Sequence, residues 1–336
     1  MHTTDVVIIG TGPVGLFAIF ECGMMGFQCH AVEALDGIGG QCRALYPEKP
    51  IYDIPAYPAI LGGDLIDNLE SQAAPFRPVY HLNQRVDELR NVEDEWYVKT
   101  SKGTEIKAKA VIVAAGVGAF GPNRPPLEGI ERYEGKSVFY YVKNRNQFDG
   151  KRLVIAGGGD SAVDWALTLS KTAKCIYMVH RRDRFRAAPD SVAKLHDLVD
   201  SGKIELVTPY QLKGLQGNEG VLSGVTVTDM DGETRTLAVD ALLAFFGLSM
   251  SLGPISEWGL TLQNKHITVD PLTMKTNAEG IYAVGDVADY PHKLKLILSG
   301  FSEAAQAAHQ IRAQIYPDKI FHFEHSTTQG VPGALI

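Results

Sequence analysis

Two glycine-rich segments of the chain have the spacing of turns that bind the pyrophosphate of a dinucleotide. The first contains Gly10, Gly12 and Gly15, and the second contains Gly157 and Gly159. In such a turn the first glycine allows a tight reversal, the second lets backbone amides approach the phosphates, and the third lets the helix pack closely on the strand. The phosphates are bound at the helix N-terminus, whose amide groups have no partner within the helix. The sequence therefore predicts two dinucleotide sites.

The residue 23 positions after the first glycine of each segment predicts which ribose the site binds. In the first segment this residue is Glu33, whose carboxylate can accept hydrogen bonds from ribose hydroxyls. In the second segment it is His180, which is followed by basic side chains at Arg181, Arg182, Arg184 and Arg186. Arginines provide the charge and the donors that a 2′-phosphate needs. We therefore expect FAD to be bound permanently in the first site and NADPH, in preference to NADH, to visit the second.

Each glycine turn lies within an order of strand, turn, helix and strand that is typical of α/β dinucleotide-binding folds. A third segment adds a buried strand at residues 280–284, the pair Gly285 and Asp286, and an alanine-rich helix at residues 300–315. A carboxylate at that strand end suits a bond to the ribityl chain of a flavin, although a simple turn explains the same residues equally well. The elements around the two glycine turns are predicted at residues 5–9, 13–25 and 29–32, and at residues 152–156, 160–170 and 175–179.

The composition and the positions of helix- and strand-breaking residues predict the domain organisation. A length of 336 residues, with 45% hydrophobic and 21% charged residues, is typical of a globular protein of two domains. Residues 118–126 and 247–254 are rich in residues that interrupt regular structure. We therefore predict an α/β fold with two Rossmann-like, three-layer ββα domains. The NADPH domain, residues 118–246, is inserted in an FAD domain made of residues 1–117 and 247–336.

The cysteines, the charge and the hydropathy pattern argue against several other classes of protein. The four cysteines include no CxxC pair, so the sequence predicts neither a dithiol nor a metal site. A net charge of −7 argues against general nucleic-acid binding. No apolar stretch reaches the roughly 20 residues of a membrane helix. With few cysteines and no export signal, we expect a cytoplasmic protein.

The chain resembles the thioredoxin reductase-like two-domain flavoproteins, and among them the branch of ferredoxin/flavodoxin–NADP reductases. In thioredoxin reductases a CxxC lies just before the second glycine strand, whereas this chain has Tyr-Tyr-Val-Lys at residues 140–143. Ala-Leu-Tyr-Pro-Glu-Lys at residues 44–49 and the C-terminal His-Ser-Thr at 325–327 are much more specific than a glycine motif, and the match runs essentially end to end. The other matching segments are residues 39–41, 52–54, 118–120, 157–165 and 299–301.

The resemblance implies roles for individual side chains. Tyr46 would stack on one face of the flavin ring, and His325, supplied by the partner protomer of a homodimer, would cover the other face. Taken alone, Tyr46 is also explained as a turn residue and His325 as an exposed residue near a terminus. The FAD-binding residues implied by the motifs and the resemblance are Gly10, Gly12, Pro13, Gly15, Glu33, Gly40, Gln41, Tyr46, Val86, Phe120, Gly285, Asp286 and Thr327. The NADPH-binding residues are Gly157, Gly159, Asp160, Ser161, His180, Arg181, Arg182 and Arg186.

The function that the resemblance implies is electron transfer between NADPH and a ferredoxin or flavodoxin, through hydride transfer to flavin N5 and single-electron transfer from the flavin. Two alternatives stay open. One is an NADPH-dependent thiol-disulfide or quinone reductase of the same fold, and the other is a non-catalytic redox sensor that binds both nucleotides. An acidic carrier protein needs a basic docking surface, for which the candidates are Arg43, Lys49, Lys293 and Lys295.

Overall fold

The computed structural model describes residues 1–318 and 330–331. The chain forms two compact units, one made of residues 1–120 with the described part of 250–336, and one made of residues 121–249. The second unit is thus an insertion in the first, with bounds that lie three residues beyond those expected from the sequence. Which nucleotide each unit binds stays a prediction at this point.

The described residues contain 22 strands, which range from two to nine residues in length. In chain order they are β1 His2–Ile9, β2 Cys29–Val32, β3 Pro50–Ile51, β4 Ile60–Leu61, β5 Val79–His81, β6 Val86–Val92, β7 Glu95–Thr100, β8 Glu105–Val113, β9 Ala119–Pro122, β10 Val138–Phe139, β11 Arg152–Ala156, β12 Cys175–Val179, β13 Ile204–Val207, β14 Gln211–Asn218, β15 Val221–Thr228, β16 Thr234–Leu237, β17 Ala241–Ala244, β18 Leu248–Ser251, β19 Leu262–Gln263, β20 His266–Thr268, β21 Ile281–Ala283 and β22 Ala288–Asp289.

The described residues contain six α-helices, and three of them lie close to the helices predicted at residues 13–25, 160–170 and 300–315. The six helices are α1 Pro13–Met24, α2 Gly40–Leu45, α3 Gly62–Ala73, α4 Asp160–Leu169, α5 Pro189–Asp200 and α6 Ile297–Ile315. Helix α6 begins three residues earlier than expected from its alanines, because Ile297 already packs against the core. None of the helices in the described ranges is long and apolar enough to cross a bilayer.

The central sheet of the first unit has the strand order β5-β2-β1-β8-β7-β6, and β21 pairs with the second half of β8. Strands β5, β2, β1, β8 and β21 are parallel, whereas β6 and β7 form an antiparallel hairpin beside the first half of β8. The ends of β1 and β8 are buried runs of aliphatic residues, as expected for a parallel sheet that is covered on both faces. Helices α1 and α6 pack against each other on this core.

The second unit repeats this arrangement on a smaller scale. Its parallel sheet has the order β10-β17-β11-β12-β13, and β14, β15 and β16 form a separate antiparallel sheet. In both units the first strand of the glycine motif lies inside the sheet, with the next motif strand beside it. The glycine turns therefore lie at the carboxyl ends of parallel strands, which is where α/β sheets bind ligands. The chain leaves the first unit within β9 and returns to it within β18.

Candidate functional site

A cavity of about 410 Å³ lies in the first unit at the carboxyl ends of β1, β2 and β8. It is lined by residues from chain segments that are far apart in the sequence. Those that the sequence had predicted to bind FAD are Gly10, Gly12, Pro13, Glu33, Gly40, Gln41, Tyr46, Val86, Gly285 and Asp286. The fold thus brings ten of the thirteen predicted positions to one place.

The glycines of the first turn have distinct structural roles. Gly10 has a φ of +100°, and a Cβ there would lie 2.5 Å from the carbonyl oxygen of Ala114. A Cβ at Gly15 would lie 2.0 Å from the carbonyl oxygen of Gly10, so Gly15 sets the close approach of α1 to the turn and does not line the cavity. Around Gly12 there is open space on the cavity side, and Pro13 occupies the first helical position, where no intrahelical hydrogen bond is lost.

Glu33 directly follows β2, and its buried carboxylate, 7% exposed, lies at the edge of the cavity. Its Oε2 accepts hydrogen bonds from the backbone N–H of Thr11 at 2.8 Å and from the Thr11 hydroxyl at 2.9 Å. Its Oε1 accepts one from the Leu35 N–H at 3.0 Å. A carboxylate oxygen has two acceptor positions, so Oε1 keeps one for a ribose hydroxyl. Thr11 was not singled out from the sequence, since only the fold brings it to Glu33.

Tyr46 follows α2, and its hydroxyl lies 3.5 Å from the Sγ of Cys42. Burial raises the pKa of Tyr46 far above its usual range, and the nearby Asp286 raises it further. Burial also raises the pKa of the Cys42 thiol. Both groups are therefore protonated at neutral pH, and the ring of Tyr46 presents a neutral surface to the cavity. Cys42 is 2% exposed and is a packing residue, as expected from its isolation in the sequence.

Asp286 lies in a short 3₁₀ turn, Gly285–Val287, which is separated from the end of β21 by one residue. Gly285 has a φ of +73°, and its N–H donates to Oε2 of Glu303 on α6 at 2.7 Å. The Asp286 side chain is half-buried and lines the cavity. The turn therefore places the Asp286 carboxylate at the cavity wall, while the N–H of Gly285, one residue earlier, is bonded to α6.

Several cavity residues were not predicted from the sequence. The carbonyl oxygen Oε1 of Gln84 is held by the hydroxyls of Thr100 at 2.6 Å and Thr104 at 2.7 Å, so that this amide has a fixed orientation. Ile255 and Trp258 come from a short 3₁₀ helix, Gly253–Glu257, and from the residue that follows it. Nothing in the local sequence marks these positions, because their place in the wall depends on the packing of distant segments.

Three predicted positions of the flavin site are not tested by this cavity. The backbone of Phe120 lies in β9, and the description does not extend to its side chain. His325 and Thr327 lie outside the described residues.

The glycine turn of the second unit lies between β11 and α4. Gly157 has a φ of +148°, and a Cβ there would lie 2.6 Å from the carbonyl oxygen of Phe245. Gly159 precedes α4 with open space around it, as Gly12 does in the first unit. Asp160 and Ser161 begin the helix as exposed residues, and Oδ1 of Asp160 accepts from the N–H of Ala188 at 2.9 Å.

His180 packs between the glycine turn and Phe185. A Cβ at Gly158 would lie 2.3 Å from the imidazole ring, and the ring stacks on Phe185 at a centroid distance of 5.3 Å. Burial lowers the pKa of His180, and the charges of neighbouring arginines lower it further. The N–H of Arg186 donates to the carbonyl of Gly158 at 2.6 Å, which ties the basic segment to the glycine turn. His180 is thus a neutral spacer between the turn and the arginines.

The arginines after β12 are exposed cations beside a glycine turn. Among residues 1–318 and 330–331, none of them forms an ion pair. By contrast, Arg152 and Arg235 of the same unit pair with Asp240 and Glu205 at 2.6 Å. The cluster without a carboxylate partner consists of Arg181, Arg182, Arg184 and Arg186.

The expectation that Lys293 belongs to a docking surface is wrong. Its side chain is 3% exposed and pairs with Glu303, which is equally buried. Arg43 is exposed but pairs with Asp67, and the Nζ of Lys295 lies 2.6 Å from the His266 ring. Sequence reasoning took Lys293 for a surface residue because its carboxylate partner comes from a helix ten residues further on.

The residues that line the cavity of the first unit suit a dinucleotide such as FAD. The glycine turn leaves open space where a pyrophosphate would approach, and a buried carboxylate with a spare acceptor position lies at the adjacent strand end. Most of the surface that lines the cavity is apolar, which suits the ring systems of a dinucleotide. Fold and site together define a two-unit α/β protein with the architecture of dinucleotide-dependent oxidoreductases.

Residues 4–311 match the family model described as pyridine nucleotide-disulphide oxidoreductase. The chain is 57% identical over 332 residues to a ferredoxin–NADP reductase of Paramagnetospirillum magneticum, with 98% of each chain covered. It is 58% identical to one of Rickettsia felis, again over 98% of both chains, and 59% identical to one of Granulibacter bethesdensis, over 98% of this chain and 95% of that protein.

Solved structures agree with this at the level of the fold. Thioredoxin reductase of Lactococcus lactis has a TM-score of 0.79 and 25% identity over 94% of this chain and 99% of its own. That of T. acidophilum has a TM-score of 0.80 at 22% identity, with the same coverage. The chain belongs to the pyridine nucleotide-disulphide oxidoreductase family. The predicted α/β fold and the predicted resemblance to ferredoxin–NADP reductases of the thioredoxin reductase-like type are confirmed.

Proposed function

We propose that the chain is an FAD-dependent oxidoreductase that transfers electrons between NADPH and a ferredoxin or flavodoxin. The observation that carries this proposal is that ten predicted cofactor residues, from five separate segments, line one cavity of the first unit. The identity of 57% over nearly the whole length to proteins named ferredoxin–NADP reductase supports the same electron acceptor for this chain. The absence of a CxxC in the sequence argues against transfer through an internal dithiol.

The residues of the first unit bind and orient FAD. The open face at Gly12 and the N-terminus of α1 receive the pyrophosphate, and Glu33 accepts from a ribose hydroxyl. Gln41 and Asp286 bond to the cofactor, and Tyr46 provides a neutral aromatic surface that excludes water from the flavin. When bound, FAD supplies the conversion between two-electron and one-electron transfer, so that no acid or base of the protein is needed.

The second unit binds NADPH through its own glycine turn and arginines. The open space at Gly159 admits the pyrophosphate to the start of α4. Arg181, Arg182 and Arg186 bind the 2′-phosphate, which is supported by their exposure and by their lack of carboxylate partners in the described part of the chain. In this proposal residues 1–117 with 247–336 form the FAD domain, and residues 118–246 form the NADPH domain.

The protein acts in the cytoplasm as a homodimer, in which His325 and Thr327 of one protomer complete the flavin site of the other. Both statements rest on the sequence and the family resemblance. If the histidine covers the flavin, the reduced His325→Ala variant should react faster with oxygen. Unchanged oxygen reactivity would count against that role.

Stopped-flow reduction of the purified protein tests the function directly. NADPH should bleach the flavin absorbance rapidly, NADH should do so much more slowly, and ferredoxin or flavodoxin should reoxidise the protein. Efficient reduction of thioredoxin, of small disulfides or of quinones, without transfer to either carrier, would favour the alternative reductase. A flavin that NADPH does not reduce would favour a redox sensor.

A further inference from the structure

A buried ion pair lies behind the turn that carries Asp286. Glu303, on α6, is buried, and its carboxylate pairs with the ammonium group of Lys293. Both side chains are 3% exposed. Neither residue lines the cavity, and the function proposed above uses neither. A buried pair of charges carries a large desolvation penalty, which must be offset by good geometry and further hydrogen bonds.

The donors to this carboxylate come from one short segment of chain. Oε2 accepts from the N–H of Gly285 at 2.7 Å. Oε1 accepts from the hydroxyl of Tyr290 at 2.7 Å and from Nζ of Lys293. Burial raises the pKa of Tyr290, and its bond to Glu303 raises it further, so this hydroxyl stays a donor at all physiological pH values. Glu303 therefore fastens residues 285–293 to α6 at three points, the first of which is the cavity turn.

Only one layer of backbone separates this network from the cavity. A Cβ at Gly300, one helical turn before Glu303, would lie 2.3 Å from Cγ2 of Val14 and 3.4 Å from Cα of Gly285. Val14, Gly285 and Asp286 all line the cavity. The start of α6 is therefore in direct contact with the wall that a cofactor would touch.

The hydrogen bond to Gly285 fixes the orientation of the turn. Because the Gly285 N–H is committed to Glu303, it is not available to a ligand in the cavity. Asp286 follows it at the wall. Without the acceptor on α6, the Val284–Gly285 peptide is left with an unpaired buried N–H, and rotating this peptide towards another partner lowers the free energy. Such a rotation would move the Asp286 carboxylate.

We propose that Glu303 is a positioning residue for the flavin site, whose buried carboxylate, neutralised by Lys293, holds the Gly285–Asp286 turn so that Asp286 faces the cofactor. This inference rests on the proposed function, because FAD is the ligand that Asp286 would meet. It assigns the ion pair to cofactor retention and not to stability alone.

The test compares two double variants that leave no unpaired buried charge. Glu303→Gln with Lys293→Met keeps an acceptor for Gly285, and Glu303→Leu with Lys293→Met removes it. We expect FAD to leave the holoprotein about tenfold faster from the leucine variant, measured by the rise of free-flavin fluorescence after dilution, with an altered visible circular dichroism of the bound flavin. Equal release rates and equal spectra of the two variants would overturn the proposal.

Coupling between the Glu303 variants and Asp286 distinguishes a positioning role from a purely structural one. In an Asp286→Asn background, the tenfold difference between the two double variants should shrink to within about twofold, because the carboxylate being positioned is gone. A difference that persists at full size would show that Glu303 acts only through stability. Gln314→Leu is the matched control, because Gln314 lies on the same helix and accepts from Tyr282 of β21 at 2.8 Å, away from the cavity. It should lower thermal stability and leave FAD release unchanged.

A milder variant keeps the test decisive if the leucine variant does not fold. Tyr290→Phe removes one donor to Glu303 without changing any charge, and it should speed FAD release by about threefold. An unchanged rate in Tyr290→Phe would then contradict the proposal. Wild-type protein that holds no FAD would overturn the proposed function itself. FAD that is held equally well by all variants would overturn only the positioning role of Glu303.

Discussion

The two glycine turns of this protein share a backbone plan and differ in what surrounds them. In the first unit the turn opens into a cavity whose strand-end acid, Glu33, is buried and hydrogen-bonded on both oxygens. In the second unit the equivalent strand end leads to exposed arginines beside the turn. The third position of the motif is Gly15 in one turn and Ala162 in the other. One plan thus supports an enclosed site and an open one.

This difference matches the two roles that we propose. A cofactor that stays bound benefits from an enclosing wall and from ligands that the protein has already oriented, because both reduce its rate of dissociation. A nucleotide that must arrive and leave in each turnover is better served by exposed charges, which attract it over a distance and release it again. The comparison predicts that substitutions in the first turn affect FAD retention and stability, whereas substitutions in the second affect nucleotide selectivity.

The largest effect is expected at the third position of the turn. Gly15→Ala places a Cβ 2.0 Å from the Gly10 carbonyl oxygen, a backbone atom that cannot move without opening the turn. We expect a loss of about 3 kcal/mol of unfolding free energy and purification largely without FAD. Ala162→Gly, the reciprocal change in the second unit, should cost about 1.5 kcal/mol, because it adds backbone freedom and removes one buried methyl group without any clash. Denaturant unfolding and the flavin-to-protein absorbance ratio measure both effects, and equal losses in the two variants would contradict the comparison.

The second prediction concerns the charges that replace the acid in the second unit. Arg181→Ala combined with Arg182→Ala should lower the ratio of kcat/KM for NADPH to that for NADH by about 10²-fold, since each charge-assisted hydrogen bond contributes roughly 1.5–3 kcal/mol. FAD content should not change.

Arg235→Ala is the control for this pair, because Arg235 lies in the same unit and is already paired with Glu205. It should leave the ratio within about twofold, so that a general loss of positive charge is separated from a loss of specific donors. Selectivity that survives the double substitution would refute the assignment of the 2′-phosphate to this segment.

Sequence reasoning succeeded where the required geometry is local. Gly10 and Gly157 are needed for a turn whose strand and helix lie next to them in the chain, and Glu33 lies at a fixed count from the first glycine. It failed where the decisive partner is distant. Lys293 was taken for a surface lysine because its burial depends on Glu303, and Gln84 and Trp258 joined the cavity without any local signal. The order of the motifs predicted the fold, whereas the polar network behind the wall depends on tertiary packing.

The smallest expected effect is that acid destabilises the first unit more than the second. In the first unit Nδ1 of His30 and Nε2 of His81 are 2.9 Å apart, and both side chains are buried. Burial lowers the pKa of His30 to about 4, with a further contribution from His81, whose own pKa is also lowered. The second unit has no such histidine pair among its described residues; His180 is half-buried, and burial lowers its pKa as well.

The sign of the resulting pH dependence follows from which state binds more protons. Between the unfolded pKa of 6.5 and the folded value of about 4, the unfolded chain binds protons that folded His30 does not, so the unfolding free energy falls as the pH falls through this window. Allowing for the partial solvent access of the ring, we expect a loss of about 1 kcal/mol. Hydrogen exchange followed by mass spectrometry between pH 7 and 4.5, corrected for the intrinsic rate, should show lost protection in peptides of residues 1–120 before those of 121–249. His30→Gln should reduce this difference between the units, whereas the control His292→Gln, at an exposed position, should not. Equal acid sensitivity of the two units would contradict the role given to the histidine pair.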